Sequence, residues 1–479
     1  MRRLSEIYEE NVAQLDRLLR VDENFDIIKK PLTVGSDELT LYYIDGFIKD
    51  TVMQKMMLYF ISLKNTCASA GEFTKDHVPY VETDVTDDLD IMIRMVLSGA
   101  ALVLGTSFGA EAIVIDARTY PARSTEEPQN DRVMNGSRDG FVETLIFNTA
   151  LIRRRIRDTS LTVSYMNIGK SSQTDIALCY MEGRADKKTV ESIRKKLSDI
   201  KTESLTMGAE SLKECLIRSR WYNPFPKIRM TERPDTAAAH LFEGGILVIC
   251  DNSPQAMILP TTIFDFMQET NDFYFPPLTG TYIRIVRHIV FFLTLFLTPT
   301  WFLLTKNPSI VPDWLAFVIP DEIGKIPLIA QILIVEFMID GLRMASMNTP
   351  DILSNSLSVV GGLILGDFAV SIGWLIPEVI LYMAFVAIAN FTQASYELGY
   401  AFKFMRILLV ILTALFNYWG FGIGVVLIIF LIASNRSVDG GRGYLYPLIP
   451  FNAKALFSLL FRRKKPDVEN ADNQKAEKS

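Results

Sequence analysis

The pattern of apolar and polar positions divides the chain near residue 280. Residues 1–280 mix apolar and charged positions as soluble helices and strands do, whereas long apolar runs follow. The run Ile285–Leu304 carries no charge after Arg287 and His288. At about 1.5 Å per helical residue, it is long enough to cross the roughly 30 Å apolar core of a bilayer. The sequence therefore predicts an α/β soluble head followed by an α-helical multi-pass membrane domain.

Two short patterns recur in the head. Leu41–Gly46 reads LYYIDG and Leu178–Gly183 reads LCYMEG, while LSGAALVL at 97–104 resembles FEGGILVI at 242–249. The segments 97–104 and 242–249 are each followed by a turn and a further strand-like run. We interpret the head as two related α/β subdomains, and chance similarity of generic strand–turn patterns is the alternative. The continuous apolar runs predict sheets covered by helices.

Five segments follow from these boundaries. They are an N-terminal helix over residues 1–25, a first α/β subdomain with a long polar loop over 26–140, a helix with the second α/β subdomain over 141–280, a helical membrane domain over 281–461, and a basic and then disordered tail over 462–479. The charged start of the chain has no apolar signal-peptide core, so we expect a cytoplasmic head. Basic residues near the apolar segments predict that both termini are cytoplasmic, with an even number of crossings.

Three ionisable residues share one face of the predicted membrane segment Ile323–Leu342 and its end. Glu336, Asp340 and Arg343 have the spacing i, i+4 and i+7. Because a carboxylate in a membrane is costly and rarely faces lipid, one interpretation is a helix that faces a pore or the interior of a helix bundle. The alternative is that these residues lie at a helix end in the membrane interface.

A small-residue motif lies farther along the membrane half. Gly362 and Gly366 form a GxxxG pattern, which allows two helices to pack closely in lipid. Asp367 follows directly and is a further candidate for a pore, less favoured because the adjacent glycines indicate a packed face. The last apolar stretch, Ile407–Ala433, is interrupted at Asn417 and by glycines, so it is either one long span or a broken hairpin.

Composition and motifs argue against an enzyme. The net charge is −6, which does not indicate nucleic-acid binding, and the four cysteines show no CxxC spacing. Walker A, GxGxxG, GxSxG and HExxH patterns are absent from the sequence. Asp116 and Asp251 follow strands, where ligands often bind, although such residues more often cap turns. We therefore expect no catalytic site, no metal, no cofactor and no nucleic-acid partner.

A basic cluster ends the predicted helix Phe141–Arg157. Arg153, Arg154 and Arg155 suit the helix macrodipole at this C-terminus. They form either a docking patch for acidic partners or anionic headgroups, or a solvated face. The second interpretation is favoured, with the arginines paired to acidic residues of the preceding polar loop, namely Glu126, Glu127 and Asp131.

The segment around this helix resembles the hallmark segment of the spore germinant receptor A subunits. The resemblance rests on Glu127, Pro128, Gly136, Arg138, Gly140, Phe141, Arg153, Arg154 and Arg155. The family usually has Pro where this chain has Ser137. Motifs of the membrane half, among them Asn348-Thr349-Pro350 and Leu365-Gly366-Asp367-Phe368, narrow the resemblance to one branch of that family.

The resemblance implies a spore inner-membrane protein that acts in germination. It implies a two-part soluble head and a membrane domain, contact with membrane lipid, a homo-oligomer, and other germination membrane proteins as partners. Two functions remain open at this point. One is an oligomeric ion channel or channel-forming subunit that promotes ion release. The alternative is a non-conducting scaffold that organises germinant receptors or the dipicolinate-release machinery.

Overall fold

The computed structural model describes residues 2–64, 69–80, 82–119, 136–217, 221–348, 368–435, 437–438 and 443–462. The chain forms two compact units. The first, called the head, comprises Met1–Arg218, Ile228–Thr261 and Val438–Gly441. The second, called the helical unit, comprises Ser219–Lys227, Thr262–Ser437 and Arg442–Ser479.

The described residues in the first half of the head form four helices and five strands. In chain order they are α1 (Tyr8–Leu19), β1 (Ile27–Val34), β2 (Asp37–Ile44), α2 (Asp50–Ser62), α3 (Ala70–His77), β3 (Thr83–Thr86), α4 (Leu89–Leu97), β4 (Ala101–Gly105) and β5 (Ala112–Ile115). A 3₁₀ turn, Val21–Glu23, follows α1.

The second half of the head repeats this order. It consists of α5 (Leu145–Arg155), β6 (Leu161–Ile168), β7 (Thr174–Met181), α6 (Lys187–Ser198), α7 (Ala209–Leu216), β8 (Arg229–Thr231), α8 (Pro234–Phe242), β9 (Ile246–Cys250) and β10 (Ala256–Leu259). The strand orders also correspond, β1-β2-β4-β5-β3 in one sheet and β6-β7-β9-β10-β8 in the other. The expectation of two similar subdomains is confirmed in the order of helices and strands along the chain and in the order of strands within each sheet.

The recurring sequence patterns fall at equivalent places in the two halves. LYYIDG lies at the end of β2, and LCYMEG at the end of β7. LSGAALVL joins α4 to β4, and FEGGILVI joins α8 to β9. The head mixes helices and strands, as expected. Among the described residues, all strand pairings in both sheets are antiparallel.

Helices cover both faces of each sheet, which explains the continuous apolar runs in the strands. One apolar core of the first sheet contains residues from α2 and α3, and the other contains residues from α1 and α4. In the second sheet, α6 and α7 cover one face while α5 and α8 cover the other. Because neither face of a central strand meets water, apolar residues are favoured at successive positions rather than at alternate ones.

The described part of the helical unit contains helices of very different lengths, the longest of which are apolar. They are α9 (Asn271–Tyr274), α10 (Pro277–Lys306), α11 (Leu328–Asn348), α12 (Ala369–Ser371), α13 (Pro377–Phe391), α14 (Tyr396–Ala433) and α15 (Ala453–Leu460). Short 3₁₀ turns occur at Asp265–Met267, Pro308–Ile310 and Asp313–Val318. Within the part of the chain that the structure describes, α10 and α14 are long and apolar enough to cross a membrane.

The chain reverses direction inside α14, at Asn417. This residue has φ 54° and ψ −127°, which is not helical. A Cβ built on Gly424 would overlap the side chain of Leu409, and one built on Gly420 would overlap the carbonyl oxygen of Leu412. Residues 409 and 424 would lie roughly 22 Å apart in a straight helix, so their contact requires two antiparallel legs. Of the two alternatives for this stretch, the structure therefore has the broken hairpin.

The hairpin turn packs against the C-terminal end of α10. The side-chain amides of Asn307 and Asn417 exchange two hydrogen bonds, of 2.7 and 2.9 Å. The Nζ atom of Lys306 donates to the carbonyl oxygen of Ala414 at 2.8 Å. The Lys306 bond gives a partner to a backbone carbonyl group next to the break in the helix, and the two asparagine side chains satisfy each other.

The hairpin contact generates a test with a matched glycine control. Gly420→Ala should weaken the packing of the two legs, because the added methyl would meet the backbone of Leu412, which cannot rotate away. We expect a loss of about 1–3 kcal/mol, seen as a lower unfolding temperature of the full chain in detergent.

Gly422→Ala serves as the control, since a Cβ at Gly422 meets nothing within 4 Å. Alanine also has the higher helix propensity, so this variant should be neutral or slightly stabilised. Equal unfolding temperatures for the two variants would contradict the hairpin packing.

Candidate functional site

The arginine cluster of α5 contains one fully buried residue, Arg153. Its Nε and Nη2 atoms donate to the two carboxylate oxygens of Asp26 at 2.8 and 2.9 Å. Both side chains are excluded from solvent, with exposures of 0% and 1%. The expectation of a solvated basic face is therefore wrong for Arg153, because its charge is neutralised inside the head.

The Arg153 pair joins the two halves of the head. Asp26 directly precedes β1 of the first sheet, whereas Arg153 also donates to the carbonyl oxygen of Leu161 in β6 at 3.3 Å. Asn24 accepts from Arg153 at 3.2 Å and from the backbone N–H of Val163 at 2.8 Å. The bidentate geometry fixes the guanidinium orientation, so α5 is positioned against both sheets at once.

The next arginine, Arg155, organises the segment before α5. Its Nη2 atom donates to both oxygens of Asp139 at 2.6 Å and to the Ser137 hydroxyl at 3.1 Å. Burial alone raises the pKa of Asp139, but hydrogen bonds from Arg155 and Ser137 outweigh burial and hold it below its ordinary value. The buried Arg233 binds the Ser137 carbonyl oxygen at 2.9 Å. The Ser137 hydroxyl thus contributes a polar contact to Arg155.

The remaining residues of the hallmark segment divide by exposure. Gly140 and Phe141 are buried, whereas Gly136, Arg138 and Arg154 are exposed. Glu127 and Pro128 lie outside the described residues, as do Glu126 and Asp131, the proposed partners of the arginines. Sequence reasoning missed Asn24 and Asp26. The signal available was an acidic residue directly before a strand that begins with two isoleucines.

The strand-end aspartates have structural partners. Asp251 accepts from the backbone N–H of Leu145 at 2.9 Å, which caps the start of α5. Asp116 pairs with Arg118, whose hydrogen bonds hold the pKa of Asp116 below its ordinary value. Among the described residues there is no group of three or more His, Cys, Asp or Glu that could hold a metal ion.

A second charge cluster lies inside the helical unit, between α11 and the first leg of α14. Glu336 accepts from Lys403 at 3.1 Å and from Arg406 at 2.6 Å, and Lys403 also pairs with Asp340. Arg406 additionally donates to the carbonyl oxygen of Thr294 in α10 at 2.9 Å. Glu336, Lys403 and Arg406 are buried, whereas the Asp340 side chain is 33% exposed.

Arg343, the third residue of the predicted face, lies among aromatic rings. Its guanidinium carbon is 5.2 Å from the ring centre of Phe391, and 5.0 Å from those of Tyr396 and Tyr400. These distances permit cation–π attraction. The expected grouping of Glu336, Asp340 and Arg343 is thus present, but the cations that neutralise the carboxylates are Lys403 and Arg406. Lys403 and Arg406 are spaced i and i+3, which places them on one helical face, and this spacing was the sequence signal that could have indicated the pairing.

A small cavity adjoins this cluster. Its volume is about 20 Å³, and its lining includes Glu336, Asp340, Asn390, Lys403 and Arg406. About 10–15 Å³ suffices for one water molecule. The side-chain oxygen of Asn390 is buried without a hydrogen-bond partner. The cavity can therefore hold a polar molecule of the size of water beside the charges.

Gly362, Gly366 and Asp367 lie outside the described residues.

Comparison with known proteins identifies the family. The family model described as "Bacillus/Clostridium GerA spore germination protein" matches residues 14–473. The chain belongs to the GerA family of spore germination proteins.

Individual relatives agree with this membership. Stage V sporulation protein AF of Bacillus subtilis (strain 168) is 38% identical over 451 residues, covering 93% of this chain and 90% of the relative. It represents the branch indicated by the membrane-half motifs. Spore germination protein KA of the same strain is 28% identical, covering 94% of this chain and 84% of the relative.

The comparison with solved structures also gives a match to part of this chain. The N-terminal domain of the A subunit of the Bacillus megaterium spore germinant receptor GerK3 has 24% sequence identity and a TM-score of 0.41. The match covers 54% of this chain and 96% of that domain. These names describe germination and sporulation proteins, and the expectation that this GerA-family chain is not an enzyme stays a prediction.

The buried pair in the head predicts that replacing Arg153 lowers the stability strongly, whereas replacing its neighbour Arg154 changes it little. Arg153→Met should destabilise the head by about 3–5 kcal/mol, because Asp26 would remain buried without a counter-charge. For a domain of this size we expect the unfolding temperature to fall by about 6–20 °C. Near-ultraviolet circular dichroism of the purified full chain would measure it.

Arg154→Met is the matched control, since Arg154 is the adjacent residue and is exposed. It should shift the unfolding temperature little, as exposed charges contribute about 0–1 kcal/mol. If both variants unfold at the wild-type temperature, the Arg153–Asp26 pair does not join the halves.

Proposed function

We propose that this GerA-family protein is a multi-pass component of the spore inner membrane. In this proposal it assembles as a homo-oligomer that promotes ion release during germination. Family membership supports the role in germination. The helices α10 and α14 support insertion into the membrane, since each is long and apolar enough to cross one.

The charges at the ends of the helices support an orientation. Arg284 in the first turns of α10 donates to the carbonyl oxygen of Ser458 at 3.3 Å, so α15 lies at that end of α10. Arg287 and Arg462 lie at the same end. The opposite end contains the hairpin turn at Asn417. By the positive-inside rule the arginine-rich end is cytoplasmic, which suits a cytoplasmic head.

The charge cluster between α11 and α14 is the observation that carries the ion-release proposal. Ionisable groups within apolar membrane helices are costly and commonly mark ion pathways. Two carboxylates and two cations sit together here, beside a cavity of about 20 Å³. Apolar residues of similar size would pack such a helix pair with less desolvation cost, so retention of four charges supports a functional role.

The two carboxylates differ in their surroundings, and we assign them different roles. Glu336 is buried and contacts both Lys403 and Arg406, which suits a residue that holds α11 against α14. Asp340 is one-third exposed and contacts Lys403 alone among the described cations. An exposed carboxylate repeated around an oligomer axis can offset part of the hydration that a cation loses. Asp340 is therefore the better candidate for the pathway.

A non-conducting scaffold is the second candidate function. The observation that favours it is that both carboxylates of the cluster are ion-paired inside one chain. Carboxylates that are already paired attract cations less than a ring of unpaired carboxylates does. In that case the helical unit would organise germinant receptors or the dipicolinate-release machinery without carrying ions.

Asp340→Asn separates the two functions. The exchange is nearly isosteric, and it removes a partly exposed charge while Lys403 and Arg406 both keep Glu336 as a partner. If the protein conducts, ion release during germination should be several-fold slower at normal protein levels. Ion release at the wild-type rate would favour the scaffold.

Glu336→Gln is the contrasting variant. It leaves Arg406 buried without its carboxylate partner, while Lys403 keeps Asp340, and losing one partner of a buried pair costs about 3–5 kcal/mol in comparable sites. We expect reduced protein level in spore membranes, measured by immunoblot. Normal protein level with impaired ion release would instead place Glu336 in the pathway.

The glycine motif provides a test of assembly. Replacing both Gly362 and Gly366 with leucine should reduce the oligomer size in detergent, because bulky side chains prevent close helix approach. Gly361→Leu is the control, since it adds one leucine next to the motif but outside its spacing. Size-exclusion chromatography with light scattering would detect the difference, and an unchanged mass for the double variant would argue against this contact.

A further inference from the structure

Two arginines at the start of α10 have guanidinium groups that are only partly satisfied. Arg284 is 4% exposed, yet its Nε and Nη2 atoms are buried without a hydrogen-bond partner. The Nη1 atom of Arg462 is buried and lacks a partner as well. A buried donor without an acceptor costs more than a typical hydrogen bond contributes, so unsatisfied groups in one place call for an explanation.

The nearby carboxylates are already engaged by a third arginine. Arg287 donates to both oxygens of Asp272, at 2.5 and 3.0 Å, and to Glu269 at 2.5 Å. Arg284 reaches Asp272 only at 3.6 Å. Arg462 has no carboxylate within 4.0 Å among the described residues. Three arginines thus face two carboxylates, which leaves one positive charge in excess at this site.

The remaining contacts bring Arg284 and Arg462 to the same place. Arg462 Nη2 donates to the carbonyl oxygen of Phe273 at 2.5 Å, and the Arg284 guanidinium lies 4.6 Å from the Phe273 ring centre. Arg284 Nη1 caps α15 through the carbonyl oxygens of Ser458 and Leu459, at 3.3 and 3.4 Å. Both side chains are therefore held in position while Arg284 Nε and Nη2 and Arg462 Nη1 are left without acceptors.

We propose that Arg284 and Arg462 bind the phosphate of an anionic phospholipid headgroup. Phosphate offers several acceptor oxygens, and planar guanidinium groups match it with short, charge-assisted hydrogen bonds. The excess positive charge of the site complements the anion. Phe273, which is half exposed, covers Arg284 and would turn aside when the phosphate enters.

Exposed apolar residues beside the arginines favour a lipid over free phosphate. They are Leu278 and Tyr282 on α10 and Phe457 and Phe461 in or next to α15. Such residues would contact acyl chains while the headgroup meets the arginines, as at the cytoplasmic surface of a membrane. This inference rests on the membrane location proposed above.

Native mass spectrometry of the purified full chain in neutral detergent tests the site. The added probes are phosphatidylglycerol, phosphatidylcholine or inorganic phosphate. The wild-type protein should retain phosphatidylglycerol at least five-fold more than phosphatidylcholine. Equal retention of the two lipids would overturn the proposal without any variant being needed. Displacement of phosphatidylglycerol by millimolar inorganic phosphate would overturn the choice of a lipid.

Arg462→Gln should abolish most of the preference for phosphatidylglycerol, and Arg462→Lys should keep part of it because the charge remains. Lys325→Gln is the charge-matched control, since Lys325 is exposed and lies beyond the opposite end of α10. A wild-type preference in Arg462→Gln would overturn the assignment, and so would an equal loss in Lys325→Gln.

Alkaline carbonate extraction of spore membranes separates this proposal from the one on which it rests. Extraction of the wild-type protein would contradict membrane insertion itself. Retention in the membrane together with equal binding of the two lipids would contradict the headgroup site alone.

Discussion

A charge removed from water needs an opposite charge beside it, and this requirement shapes the core of both units. In the head, Arg153 and Asp26 form a bidentate pair with almost no exposure to solvent. Each subdomain could bury its own sheet without the other, because each has helices on both faces. The ion pair, together with Asn24, makes the position of α5 depend on both sheets, so the two halves form one unit.

The same requirement applies to the helical unit, with a different outcome. Glu336 is fully paired by Lys403 and Arg406, whereas Asp340 is partly exposed and Arg284 and Arg462 keep unsatisfied donors. Complete pairing holds helices together. Incomplete pairing leaves charge that can act on an ion or a headgroup. This difference, rather than the presence of charge alone, separates the structural residues from the candidates for function.

Much of the head could be predicted because its signals are local. The recurring patterns at 41–46 and 178–183 each end a buried strand, and the expected strand after each second pattern is present. The ion pairs could not be predicted, since Arg153 and Asp26 are 127 residues apart and only the fold brings them together. For that reason the α5 arginines resembled a solvated basic face.

The helical unit was predictable in its apolar segments but not in its turns. Apolar runs indicate α10, α13 and α14, because length and hydropathy are enough to define them. Whether 407–433 bends depends on how Leu409 and Leu412 pack against Gly424 and Gly420, which the sequence alone left open. Likewise, Lys403 and Arg406 resembled flanking charges until their partners on α11 were known.

Ion flux from liposomes distinguishes conduction from a purely organising role most directly. The purified full chain would be reconstituted at increasing protein-to-lipid ratios into liposomes loaded with potassium, and insertion would be verified by flotation. An oligomeric channel predicts potassium release that rises more steeply than in proportion to protein. Liposomes that contain inserted protein yet remain as tight as protein-free liposomes at every ratio would contradict ion conduction by this chain.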